Sequence, residues 1–327
     1  MNDELKLPLE NANIHTMKNV STKKKKYLEK IKNNMALITM TLPAVLLIFI
    51  FSYIPMFGII IAFKKFDLNK GILGSDWVGF KNFEFFFKSQ DALIVTTNTI
   101  MLNLVFIIVG LIISVLFALL LNEITKRTFV KIYQTLMLFP HFLSWVVVGY
   151  ILFSFLNMDF GIINKTLMNM GIQPIKWYNN ASYWPYILTF VYIWKAVGYS
   201  SIIYYAALMG IDNEYYEAAS IDGANRIQMA FKISIPFLIP LITIMTLLAI
   251  GRIIRADFGM FYYLPKDSGV LFKTTGVIDT YVFNMLKNIG DFGMASAVGL
   301  YQSIVGFLLV IGTNIIVKKV DAESSIF

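Results

Sequence analysis

The chain has no cysteine and only two histidines, His15 and His141. Disulfides, zinc thiolates and thiol nucleophiles are therefore excluded, and no histidine cluster exists to hold a metal. Charge is sparse too: 15% of residues are Asp, Glu, Lys or Arg, against about 25% in a typical soluble domain. No GxxxxGK(S/T) loop is present to cradle nucleotide phosphates, and HExxH and GxSxG are missing as well. A membrane-embedded lipid-modifying enzyme would need a nucleophile or a metal cluster, and neither is visible. These gaps argue against chemistry performed by this chain, and no cofactor is expected in it.

What the chain has in quantity is apolar surface. Hydrophobic residues make up 57% of it. They gather in runs near 35–63, 94–121, 131–156, 184–208, 236–263 and 293–317, each long enough to cross about 30 Å of hydrocarbon. An open sheet would leave backbone groups unpaired in lipid, and barrel strands would be shorter and alternating. The expectation is an all-α polytopic membrane protein of six spans. It has a polar tail over 1–34, a membrane domain over 35–318 and a short tail over 319–327. No small-residue cleavage site adjoins the first run, so that run is expected to stay as an anchor.

The net charge is +8, much of it in the first tail around KKKKYLEKIK at 23–32. Basic residues just ahead of a span set its orientation or touch anionic lipid; nucleic acid is not expected as a partner. Placing both termini in the cytoplasm puts the KKKK run, Lys126, Arg127, Lys131, Arg226, Lys232, Lys318 and Lys319 inside. About fifteen basic residues then lie inside and about ten outside. In this orientation the polar interval 209–235 is cytoplasmic and the loop 64–92 is external. The GSDWVGF stretch at 74–80 either caps the spans or touches an external partner.

The cytoplasmic interval reads as two short helices. Asp212 or Asn213 can cap one that begins at Glu214, because their side chains accept bonds from free N–H groups. Asp222-Gly223 interrupts it, glycine tolerating backbone angles other residues avoid. A second helix is predicted from Ala224 to Ile235, with Pro236 in the first turn of the fifth span. Ala218, Ala219 and Gly223 have little bulk, so another protein can approach closely. Glu217 offers a charge for a partner cation. The interval reads as a docking knob.

Glu217-Ala218-Ala219, Gly223, and then Ile233 and Pro236 after a nine-residue gap resemble the EAA signature of permease subunits in bacterial ABC importers. Ile235 stands where leucine is typical. FSYIPMFGIIIAF (51–63), GSDWVGFKNFEFFF (74–87), LFPHFLSWVVV (138–148), IDTYVF (278–283) and ASAVGLYQSIVGF (295–307) are similar to carbohydrate permeases of the polysaccharide and alginate type. The likeness covers nearly everything after residue 40. It implies the type I ABC importer permease fold and a coupling helix, bearing Asp222 among its signature residues, that inserts into a groove of a cytoplasmic ATPase. It also implies a set of partners: a second homologous permease, two ATPase subunits that bind and hydrolyse ATP-Mg, and an extracellular solute-binding lipoprotein. The cargo would be an oligosaccharide, and the location the bacterial cytoplasmic membrane.

Polar residues inside spans are costly and therefore informative. Lys195 lies about eleven residues in from Pro185, roughly 16 Å deep and near the midplane. His141 reaches a similar depth from the other side, directly after Pro140, and a broken helix at mid-depth is what transporters place beside a cavity. A sugar path lined by His141, Trp145, Trp194, Lys195 and Tyr199 is one reading, since aromatic faces and hydrogen-bonding tips suit sugars. Ordinary helix packing is the other. Arg252, Arg255 and Asp257 lie roughly 24–32 Å above Pro236. They read either as snorkelling or mutually paired charges, or as an external gate or basic vestibule for uronate sugars. An ion-gradient-driven secondary transporter is the alternative function. It would need a mid-depth acid to bind H⁺ or Na⁺, and the sequence shows none convincingly.

Overall fold

The computed structural model describes residues 34–320. The basic stretch at 23–26, His15 and the residues after 320 lie outside them. Among the described residues, five helices are long and apolar enough to cross a membrane: Met35–Phe63, Gln90–Asn122, Ala181–Leu208, Arg226–Ile250 and Phe292–Lys318. A sixth crossing is a bent pair, Arg127–Phe142 followed by Trp145–Leu156, with 96° between them.

The chain divides into a unit ending at Ile60 and a second unit from Ile61 onward. The first holds the helix Met35–Ile48, which runs through Pro43, and a π-helical turn over Phe49–Tyr53. Its side chains are exposed all round, as suits a helix without a polar face in lipid. In the second unit, hydroxyls along the spans are satisfied within their own helices. Thr99 donates to the Val95 carbonyl at 2.6 Å, Thr189 to Pro185 at 2.7 Å and Thr313 to Leu309 at 2.7 Å. That back-bonding is how a lone hydroxyl is tolerated where water is absent.

The segment 74–80 is tied to residues 63–65, with Trp77 and Phe80 left exposed. Asp76–Trp77 pairs antiparallel with Lys64–Lys65, and Trp77 stacks on Phe63 at 5.7 Å. The Asn82 amide ties the following helix to the Ala62 and Lys64 carbonyls at 2.9 and 3.0 Å.

Three expectations about the spans need correction. The third span breaks at Pro140 as expected, but its bounds are not 131–156: its first helix begins at Arg127. Pro140 has no N–H and crowds the carbonyl four residues back, so the helix tightens into a 3-10 turn over Phe139–Phe142 and stops. Ser144 then caps a new helix by accepting from Val147 N at 3.4 Å. The fifth span does not run over 236–263 either. It ends at Ile250, and a separate helix, Phe258–Tyr263, starts after Asp257. Gly251, two arginines and an aspartate are poor helix continuers, and Asp257 instead caps the new helix. Lastly, Pro236 does not begin a span. The helix starts at Arg226, and a π-helical turn over Ala230–Ser234 carries it into Ile235–Ile250. The wider turn relieves the clash that a proline imposes on a regular helix.

Candidate functional site

The element ends sort onto two faces. On one, Arg226 pairs with Glu123, bringing the 209–235 interval beside the connection between the second and third spans. On the other, Thr274 donates to the Ala181 carbonyl at 2.8 Å, Tyr178 to Leu264 at 3.3 Å, and the Asn98 amide to Gly276 at 3.0 Å. Two connections that odd-and-even counting assigns to one side thus meet on one side.

The elbow on the first face is a helix, Asn213–Ile221, capped by Asp212, whose carboxylate accepts from Glu214 N at 3.1 Å. Gly223 turns the chain at φ +80, in the left-handed region that favours glycine. Asn225 and Gln228 form a reciprocal capping box that starts the next helix at Arg226. The predicted start at Ala224 is thus two residues early. Glu217, Ala218, Asp222 and Gly223 are exposed, while Ala219 and Ile233 are half-buried. The elbow is anchored by the Tyr216 hydroxyl on Ser234 at 2.9 Å and by Tyr215 against Phe237 at 5.4 Å. Two large apolar residues point away from the bundle: Ile221 is 87% exposed and Ile227 71%. Water-facing isoleucines grouped with small residues mark a surface that another protein covers.

The break in the third span meets the interruption after Ile250, where the fifth apolar run was expected to continue. Where the third span breaks, the Lys195 ammonium donates to the His141 carbonyl at 2.7 Å and to the Pro140 carbonyl at 3.4 Å, the latter also accepting from Leu143 N at 3.2 Å. The same ammonium lies 5.1 Å from the Trp145 ring centre, within cation–π range. The His141 ring stacks on Tyr199 at 4.8 Å. The Trp145 indole donates to Asp257 at 2.7 Å, and the other oxygen of Asp257 caps the Phe258–Tyr263 helix. Gly198 lets the fourth span approach the Met137 carbonyl so closely that any Cβ there would collide with it.

The interruption after the fifth span is satisfied from outside. Asn103 on the second span donates to the Ile253 and Arg255 carbonyls at 2.7 and 3.1 Å. Gln302 on the sixth donates to Ile254 at 2.8 Å and to Asp279 at 3.1 Å. Asp279 accepts from Ala256 N at 2.8 Å. Burial pushes its carboxyl above the ordinary value, against the pull of that N–H and of the Gln302 amide.

His141, Trp145, Lys195, Tyr199 and Asp257 thus form one polar, aromatic joint. Trp194 is not in it. It lines an apolar cavity of about 580 Å³ with Phe155, Tyr186 and Phe190. Arg252 and Arg255 are exposed and make no ion pair among the described residues, so mutual pairing with Asp257 does not occur. Sequence reasoning missed Asn103, Asp279 and Gln302. The signal available was an amide or acid within or beside an apolar run, which is expensive unless it serves backbone or ligand. Asp257 and Asp279 flank the irregular stretch that follows the end of the fifth span at Ile250. Both have protein partners there.

Residues 107–322 match the family described as "Binding-protein-dependent transport system inner membrane component". Protein LplB of Bacillus subtilis is 34% identical over 297 residues, 91% of this chain and 93% of that protein. The polygalacturonan/rhamnogalacturonan transport system permease protein YteP of the same organism is also 34% identical, covering 92% of this chain and 93% of its own. A crystal structure of a bacterial ABC transporter involved in import of the acidic polysaccharide alginate contains a chain that superposes with a TM-score of 0.83. It is 29% identical and covers 90% of this chain and 99% of that one. By family match, by full-length likeness and by its spans, the chain belongs to the binding-protein-dependent transport system inner membrane components, the permeases of ABC importers.

Proposed function

We propose that this permease carries oligosaccharides inward, acidic uronate-bearing ones above all, and forms half of the translocation path. The observation that carries the reading is the joint at the two interruptions. It offers two aromatic rings, an imidazole, an ammonium and a carboxylate side by side, with His141 and Tyr199 exposed. Rings stack on the apolar faces of sugars, and the polar tips take their hydroxyl edges. The acidic cargo named for YteP and for the alginate importer supports the substrate class.

The driving force comes from partners: two ATPase subunits that hydrolyse ATP-Mg, with a second homologous permease and an external solute-binding protein completing the assembly. Glu217, Ala218, Ala219, Asp222 and Gly223, with Ile233 and Pro236 behind them, couple the ATPase to the spans. Ile221 and Ile227 add apolar area that a soluble groove can bury. Both termini then lie in the cytoplasm, on the elbow side.

The test is ATP-dependent uptake of labelled oligosaccharide by the assembled importer in proteoliposomes. Lys195→Met and Trp145→Phe should each raise the half-saturating sugar concentration. Uptake at unchanged rate and affinity in both variants would overturn the path.

A further inference from the structure

We infer that Lys266 and the tyrosines around it form a receiving pocket for the carboxylate of an acidic sugar, on the face opposite the elbow. The inference rests on the cargo reading above and locates where such a sugar first meets this chain.

The pocket measures about 170 Å³ and is walled by Tyr150, Tyr262, Tyr263, Lys266 and Asp267, with Val146 and Gly149 completing it. Lys266 has φ 58 and Asp267 φ 50, the only non-glycine positive φ values among the described residues. A lysine gains nothing local from that conformation, which costs about 1–2 kcal/mol, and strain of this kind gathers at functional positions. The strained turn holds the Lys266 ammonium 3.5 Å from the Phe153 ring centre. It makes no ion pair among the described residues. An exposed ammonium seated on one ring and beside three tyrosines keeps its remaining donors for an outside anion.

The acid in the wall is itself engaged. Asp267 accepts from the Asn284 amide at 2.8 Å, and Lys287 lies within its field. Lys287 also donates to the Tyr262 hydroxyl at 2.8 Å. That leaves the Tyr262 O–H proton free to donate in turn. The pocket and the joint share a helix, since Val146, Gly149 and Tyr150 belong to the one that begins at Trp145.

The experiment compares uptake of an oligogalacturonate with the same oligosaccharide after its carboxyls are reduced to neutral alcohols, by the assembled importer in proteoliposomes. Lys266→Gln should raise the half-saturating concentration for the acidic sugar about tenfold relative to the neutral one. Lys266→Arg should recover most of the loss. Tyr263→Phe, which removes no charge, should show a smaller selective loss of about threefold. Equal shifts for both sugars would overturn the pocket, because the lysine would then serve the fold or a carboxylate of the binding protein. No shift in Lys266→Gln would overturn it too. A wild-type importer that takes only the neutral sugar sinks the pocket and leaves the carbohydrate reading standing; one that takes neither sinks the cargo reading itself.

Discussion

The elbow at 213–234 and the joint at the two interruptions are built in opposite ways. The bonds that shape the elbow are local, apart from the Arg226–Glu123 pair that ties it to the connection between the second and third spans. Asp212 caps its own helix, Gly223 turns the chain, and Asn225 and Gln228 cap each other. The joint is built from residues far apart in sequence. Lys195 reaches the carbonyl of His141, Trp145 reaches Asp257, and Gln302 reaches Ile254. A local motif can present a free surface, since its backbone needs nothing from elsewhere. A break inside a membrane span must borrow donors from its neighbours, because lipid supplies none. So the elbow is open to a partner while the joint is tied to the second, fourth and sixth spans.

If that contrast is right, changes at the two regions should separate transport from stability. The largest effect is expected from Glu217→Arg. It should lower ATP-dependent uptake by more than about thirtyfold, as losing one member of an interfacial charge pair costs roughly 2–5 kcal/mol. The thermal midpoint of the purified permease should stay where it was, because Glu217 is exposed and holds no other element. A lowered midpoint would mean that the elbow is part of the core after all.

Gln302→Leu should do the reverse. It strips the Ile254 carbonyl and Asp279 of a donor, which costs about 1–3 kcal/mol in a buried setting. Thermal unfolding in detergent should come earlier, and retention of the wild-type midpoint would count against a borrowed-donor joint. Asn103→Leu should act similarly, since its amide serves both Ile253 and Arg255. The loss of one hydrogen bond in Trp145→Phe should cost about 1 kcal/mol and show mainly as weaker sugar affinity. The smallest effect belongs to Asp212→Ala. A lost helix cap costs about 1 kcal/mol or less on an exposed helix, so uptake should fall only a few-fold, measured at saturating sugar.

Legibility followed the same divide. The spans near 94–121, 184–208 and 293–317 were readable because long apolar runs have few alternatives in lipid, and the structure has helices over each. The elbow's cap and turn were readable because Asp212 and Gly223 act on their immediate neighbours. The bend at Pro140 was foreseeable, but not its 96° angle, which depends on how Trp145–Leu156 packs against the Phe258–Tyr263 helix. Trp194 and Lys195 are adjacent in sequence and nearly a third of a helical turn apart. One enters the joint and the other an apolar cavity, and no pattern of residue types distinguished them in advance.

Hydropathy and charge were enough to determine a polytopic helical membrane protein, and the short motif around Glu217 the position of its elbow, because those properties depend on composition and near neighbours. Which polar residues would face one another across the interruptions depended on the packed bundle. Unpaired backbone groups at a break must find donors wherever the packing brings them within about 3 Å, and residues as far apart as Asn103 and Arg255 can supply them only once the helices are side by side.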